Sequence, residues 1–168
     1  MPILPVSLVV LFWGPKKSKY FPTEKDRLFV QVPLQGKLLD KFKAFDNLMS
    51  SETMKLKLFG VGVGDSYQYQ PLVKESSKGE YMKVKLLTNY DTGDIETGLL
   101  VNNEDVGVVE SLSEFEKHVP YNSKVRMIVK LVRVWVLNKK FGVTIKAVRV
   151  AVEGPAEPEA NLQPEFLD

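Results

Sequence analysis

Residues 124–153, KVRMIVKLVRVWVLNKKFGVTIKAVRVAVE, constrain the fold more than any other stretch, because they read as two long β-strands folded back on each other. From Val125 to Leu131 apolar residues take the odd positions, while Lys124, Arg126 and Lys130 take even ones. That period of two is the pattern of a half-buried strand, with one face in a core and the other cationic. Near Val132 the parity slips, so that Val132, Val134 and Val136 point one way and Arg133 and Trp135 the other, as a β-bulge arranges. On the return, Val143, Ile145 and Ala147 alternate with Lys146, and a second slip sets Arg149 opposite in sense to Val150. The connection 138–142, NKKFG, ends in the glycine of a short hairpin loop and carries Lys139, Lys140 and Phe141. This stretch holds eight basic residues and a tryptophan.

Charge along the chain is lopsided. All 23 Lys and Arg precede residue 151, whereas five of the 21 acidic residues follow it, leaving a body of net charge +7 and a tail of −5. A basic body with an acidic arm fits a protein that binds a polyanion. At 168 residues, 44% of them hydrophobic, the chain suffices for one domain, expected over 1–152, with 153–168 as an acidic, proline-rich flexible tail. There is no cysteine, which excludes disulfides and thiolate metal sites and fits an intracellular setting. The apolar run 3–13 is too short for a membrane span and is broken by Pro5, so it reads as a buried first strand and a candidate edge for pairing between subunits.

Further along, 28–32 is a short strand, and Leu38, Phe42, Phe45 and Leu48 or Met49 recur at helical spacing over 37–51. Residues 54–63 alternate Met54, Leu56 and Leu58 with Lys55 and Lys57, which predicts a strand. The glycines at 60, 62 and 64 lack the Lys-Ser/Thr pair of a phosphate loop and suit a strand bending around a small barrel. Residues 65–80 are loop-like and carry Tyr67 and Tyr69. A strand over 81–90, with Tyr81, Lys83 and Lys85 on its polar side and Tyr90 at its end, turns at 91–94 into a hairpin with 95–101. Ser111 and Glu114 form a capping box that opens a short helix ending near Pro120. From residue 54 on, the order is three strands, a short helix and two long strands. That is an OB-fold-like five-stranded barrel, mainly β, with its core at about 54–152, strand and helix additions before it, and the helix between strands 3 and 4.

The stretches YMKVKLLTNYDTGDIETGLLVNN (81–103) and SEFEKHVPYNSKVRMIVKLVRVWVLNKKFGVTIKAVRVAVE (113–153) resemble the single-stranded-DNA-binding proteins of large DNA viruses and some phages. The likeness covers about 81–152. The family's charged strand matches Lys83 and Lys85, its short helix 113–119, and its strand-borne tryptophan Trp135. Its basic turn with an aromatic-glycine pair matches 139–142, and its closing strand 146–152. The resemblance implies sequence-nonspecific binding of single-stranded DNA during replication, recombination or repair. It also implies an acidic tail that docks replication or recombination proteins or inhibits the chain's own groove.

The residues expected to touch nucleic acid are Trp135, Arg133, Lys146, Arg149, Lys83, Lys85, Tyr81, Tyr90, Lys130, Lys139, Lys140, Phe141, Tyr67 and Tyr69, with lysines tracking phosphate and rings stacking on bases. Glu165, Phe166, Leu167 and Asp168 form the expected docking tail. No cofactor or metal is expected, and no membrane. His118 has no nucleophile to serve, so catalysis is not expected. The same faces suit RNA or another polyanion, and a structural or assembly role remains open, since stacking does not distinguish sugars.

Overall fold

The computed structural model describes residues 3–10, 12–13, 23, 25–120 and 123–153. Strands β1 (Ile3–Val10), β2 (Phe12–Trp13) and β3 (Phe29–Pro33) come first, then helices α1 (Gly36–Met49) and α2 (Glu52–Phe59). Short strands β4 (Gln68–Tyr69) and β5 (Lys74–Ser76) lead to β6 (Gly79–Leu86), β7 (Gly98–Val101) and β8 (Glu104–Gly107). Helix α3 (Leu112–His118) precedes the long strands β9 (Lys124–Leu137) and β10 (Lys140–Val152).

One sheet runs in the order β1-β9-β10-β6-β3-β2. Because β2 begins two residues after β1 ends, the two edges of this sheet belong to one run of chain, and the sheet closes into a barrel. Strands β9 and β10 are antiparallel, while β6 and β7 lie one after the other parallel to β10. A buried Thr97 pins the excursion between them, donating to the Ala147 carbonyl at 2.8 Å and accepting from the Leu87 amide at 2.8 Å. The fold is thus mainly β and OB-like, with a short helix before the two long strands.

The strand expected over 54–63 is instead α2. Ser51 caps it by accepting from the Met54 amide at 3.2 Å, and Gly60, at φ +84°, ends it. Met, Lys and Leu are all good helix formers, so the alternation carried no strand propensity, and α2 buries none of its residues. The barrel takes its first strands from 3–13 and 29–33. Gly62, at φ +85°, belongs to the turn after α2 rather than to a bent strand. Residues 95–101 also depart from expectation: a Thr88–Ile95 bridge and the bonds of Glu96 and Thr97 to Leu87 join them to the segment just past β6, while β7 pairs with β10 and β8.

Both parity slips in the long ribbon are present. Register shifts fall between Thr144 and Ile145, opposite Val132, and between Ala147 and Arg149. The reversal is tighter than the sequence suggested. Asn138 and Lys139 sit at φ +50° and +60°, a two-residue primed turn, and Gly142 lies inside β10 opposite Trp135. Among the described residues the core gathers Val30, Val32, Phe42, Met82, Val84, Leu86, Leu99, Phe115, Val129, Phe141 and Ala147. No described helix is long and apolar enough to cross a membrane.

Phe141 is 0% exposed, edge-on to Phe59 at 5.1 Å and tilted against Tyr69 at 5.3 Å between ring centroids. Phe141→Ala is therefore expected to cost about 3–5 kcal/mol in urea unfolding; a change below about 1 kcal/mol would show that the ring does not hold the fold.

Candidate nucleic-acid interface

Cross-strand pairing brings the lysines together. Lys130 of β9 is the register partner of Lys146 of β10, and Lys146 is the partner of Lys85 of β6. Lys85 in turn pairs with Phe29 of β3, completing a rung across four strands. Like charges placed directly opposite on a sheet are destabilising, so the barrel gives up stability at this rung. Lys146 is held below the ordinary lysine value, first by burial and then by the charges of Lys85, Arg133 and Lys130.

Two adjoining hollows of about 470 and 410 Å³ meet at this rung, sharing Phe29, Lys85, Arg133 and Thr144. Together they form one trough. Its lining includes Lys25, Lys74, Lys83, Lys85, Arg133 and Lys146 and, among the described residues, no carboxylate. Val143, Ile145, Leu72 and Trp135 supply apolar surface. The ammonium of Lys83 stands 5.0 Å from the centre of the Phe29 ring, a cation–π contact. Burial and then the Lys74 charge lower the pKa of Lys83.

Trp135 is half-buried at the end of the trough that also holds Lys74 and Lys83. Its indole lies against Gly142: a Cβ added there would come within 2.6 Å of Cζ2 and 2.9 Å of Nε1. Only glycine lets the ring settle at that depth. The bulge at Val132 aims Arg133 and Trp135 at the trough, leaving Val134 and Val136 exposed on the other side of the ribbon.

Of the residues expected to touch nucleic acid, Trp135, Arg133, Lys146, Lys83 and Lys85 line the trough, and Lys130 flanks it. Tyr90 is 99% exposed on the turn whose Gly93 lines the second hollow. Lys139 and Lys140 are exposed at the tip of the ribbon, outside the lining. Arg149 lies outside the lining, exposed, with its guanidinium 2.8 Å from the Asp105 carboxylate.

Three expected aromatic contacts, Phe141, Tyr81 and Tyr69, are corrected by burial, while the half-buried Tyr67 lies outside the trough lining. Phe141 and Tyr81, the latter 5% exposed, are core residues, so neither ring has a face free for a base. Tyr69 is 8% exposed and donates its hydroxyl to Asp46 at 2.6 Å. Burial, then the hydrogen bond to Asp46 and its charge, push that phenol above the ordinary tyrosine range. Tyr67 stacks flat on Phe59 with centroids 4.1 Å apart. These rings fasten α2 and β4 to the barrel. Conversely, Phe29, Lys25 and Lys74 line the trough without having been singled out, since they lie on a short strand and in two polar segments with no periodic signal. The tail residues Glu165, Phe166, Leu167 and Asp168 lie outside the described residues. Among the described residues no group of three or more acidic or histidine side chains is placed to hold a metal ion.

No protein-family model matches the chain, and no curated protein sequence does. Solved structures do. The single-stranded DNA-binding protein from bacteriophage Enc34 superposes with a TM-score of 0.54 at 11% identity, over 97% of this chain and 87% of that one. The same phage protein in complex with ssDNA gives 0.55 at 12%, over 94% and 89%. Gp2.5, a single-stranded DNA-binding protein encoded by bacteriophage T7, gives 0.54 at 13%, over 98% of both chains. Nearly the whole chain, helices included, therefore has the fold of these phage single-stranded-DNA-binding proteins.

Proposed function

We propose that the chain binds single-stranded DNA without regard to sequence, laying the backbone along the trough and a base on Trp135. One observation carries this reading: a trough with no carboxylate among its described lining residues, in which Lys130, Lys146 and Lys85 stand side by side across three strands. Such a row stores repulsion that a phosphate backbone relieves, and the adjoining indole suits a base, since every base has a π-face. The shared fold supports the reading, one of those phage structures being a complex with ssDNA. The biological role that follows is protection of single strands during replication, recombination or repair. The acidic segment 153–168 would compete for the trough and offer Glu165, Phe166, Leu167 and Asp168 to a replication or recombination protein.

Anisotropy titrations with oligo-dT, duplex DNA and RNA of equal length test the reading directly. Preference for oligo-dT is expected, with log affinity falling against log salt at a slope near −3 for about four phosphates contacted. Equal affinity for all three would reduce the trough to a generic basic surface. Removing 154–168 should tighten binding at low salt; unchanged affinity would leave the tail a tether.

Trp135→Ala should weaken binding about tenfold or more, and Gly142→Ala, which displaces the indole, should reproduce much of that loss. In a Trp13→Phe background, Gly142→Ala should also shift the remaining tryptophan emission. Loss below twofold in both variants would make Trp135 a packing residue.

Because Lys146 has a lowered pKa in the free protein and a bound phosphate favours its charged form, binding takes up protons. Affinity for oligo-dA is therefore expected to fall as pH rises toward 10.5, starting below the ordinary lysine range, and Lys146→Arg should flatten the fall. A pH-independent affinity in the wild-type chain would count against phosphate contact at Lys146.

A further inference from the structure

Helix α1 adds nothing to the barrel's strand order, yet it carries a buried carboxylate. Asp46 Oδ1 accepts the Tyr69 hydroxyl at 2.6 Å and the Leu72 amide at 2.9 Å, and Oδ2 accepts the Val73 amide at 3.0 Å. All three donors belong to one short run, 69–73. A buried carboxylate is costly unless its oxygens are satisfied, and this one is satisfied by donors from that run.

The run is a wall of the trough. Gln70, Pro71 and Leu72 line it, and Lys74, just past Val73, enters it close enough to Lys83 to lower that lysine's pKa. Between β4 and β5 this backbone has no strand pairing. Its upstream end is tied by the Gln70 amide to the Phe141 carbonyl at 2.7 Å, and Pro71 has no amide hydrogen to offer. The amides of Leu72 and Val73 both go to Asp46.

We infer that Asp46 is a positioning residue for the trough: through Tyr69, Leu72 and Val73 it holds the 69–73 wall in place and so delivers Lys74 to the nucleic-acid backbone. Asp46 touches no ligand itself. The inference rests on the nucleic-acid reading above and gives the helical insertion a part in it.

The test is Asp46→Asn in the full chain, whose amide keeps the shape but loses the charge and one acceptor. Hydrogen exchange at the Leu72 and Val73 amides, which needs no ligand, should speed up by about tenfold or more. Oligo-dT affinity at 0.1 M salt should fall about fivefold and the salt slope should shrink by about 0.7, the share of one phosphate on a single strand. Once Lys74→Ala is present, adding Asp46→Asn should change affinity less than twofold, because both act on the same contact. Tyr69→Phe, which removes one donor and keeps the packed ring, gives a milder form of the same result should Asp46→Asn fail to fold. Faster amide exchange with affinity and slope unchanged, or losses that add to those of Lys74→Ala, would make Asp46 a fold residue only and overturn the inference. A wild-type chain that does not bind oligo-dT would instead overturn the functional reading, and this inference with it.

Discussion

Side chains on a strand alternate between faces, so one unpaired residue in a ribbon turns everything beyond it over. The β9–β10 ribbon uses this twice, near Val132 and near Val148. Before the first slip, Val125, Met127 and Val129 fill the barrel while Lys130 faces out; after it, Arg133 and Trp135 come onto the side of Lys130 and Lys146. Val134 and Val136 inherit the opposite face where the ribbon runs past the core, and they are exposed. On the return, Phe141, Val143, Ile145 and Ala147 stay buried, and the second slip keeps Val150 and Val152 inside. The cationic trough exists because the pairing is irregular.

The trough is electrostatically uncomfortable in the free protein. Lys83 and Lys146 are both pushed toward their neutral forms, each first by burial and then by neighbouring cations. Elsewhere on the surface, cations meet partners: Lys43 bonds Glu80 at 2.9 Å, and Arg149 bonds Asp105. The difference separates charges that support the fold from charges held in reserve. Such strain is tolerable because the barrel beneath is well filled, from Phe115 on α3 to Met82 and Val84 on β6.

Much of this was legible in the residues. The ribbon, both bulges, the Ser111 cap and the alternation of Met82, Val84 and Leu86 are local patterns, and local patterns survive into the fold. The Ser111 hydroxyl accepts from the Glu114 amide at 3.2 Å, while Glu114 reaches back one residue further than a capping box requires, to the Glu110 amide at 3.1 Å. What misled was composition mimicking period. Met54, Leu56 and Leu58 alternate with lysines, yet Ser51 and Gly60 bracket a helix, so the first barrel strand was sought fifty residues too late. Aromatic residues were the other weak point. Tyr69 and Phe141 have the chemistry of a stacking platform, but neighbours distant in sequence claim their surfaces. Asp46 gave no signal at all, since a carboxylate on an amphipathic helix normally faces water.

The barrel closes through β1, and Ile3 pairs with Lys130 while Val10 pairs with Lys124. During synthesis the first strand therefore waits, without its partner, until nearly the whole domain has left the ribosome. Pairings this distant in sequence are slow to form, because the loop entropy is lost before the contacts compensate. In the meantime β1 is an apolar strand with an open edge in a crowded cell. Pro5, within the strand, has no amide hydrogen to offer and makes it a poorer template for another chain, which is a useful property in a segment that must remain unpaired the longest.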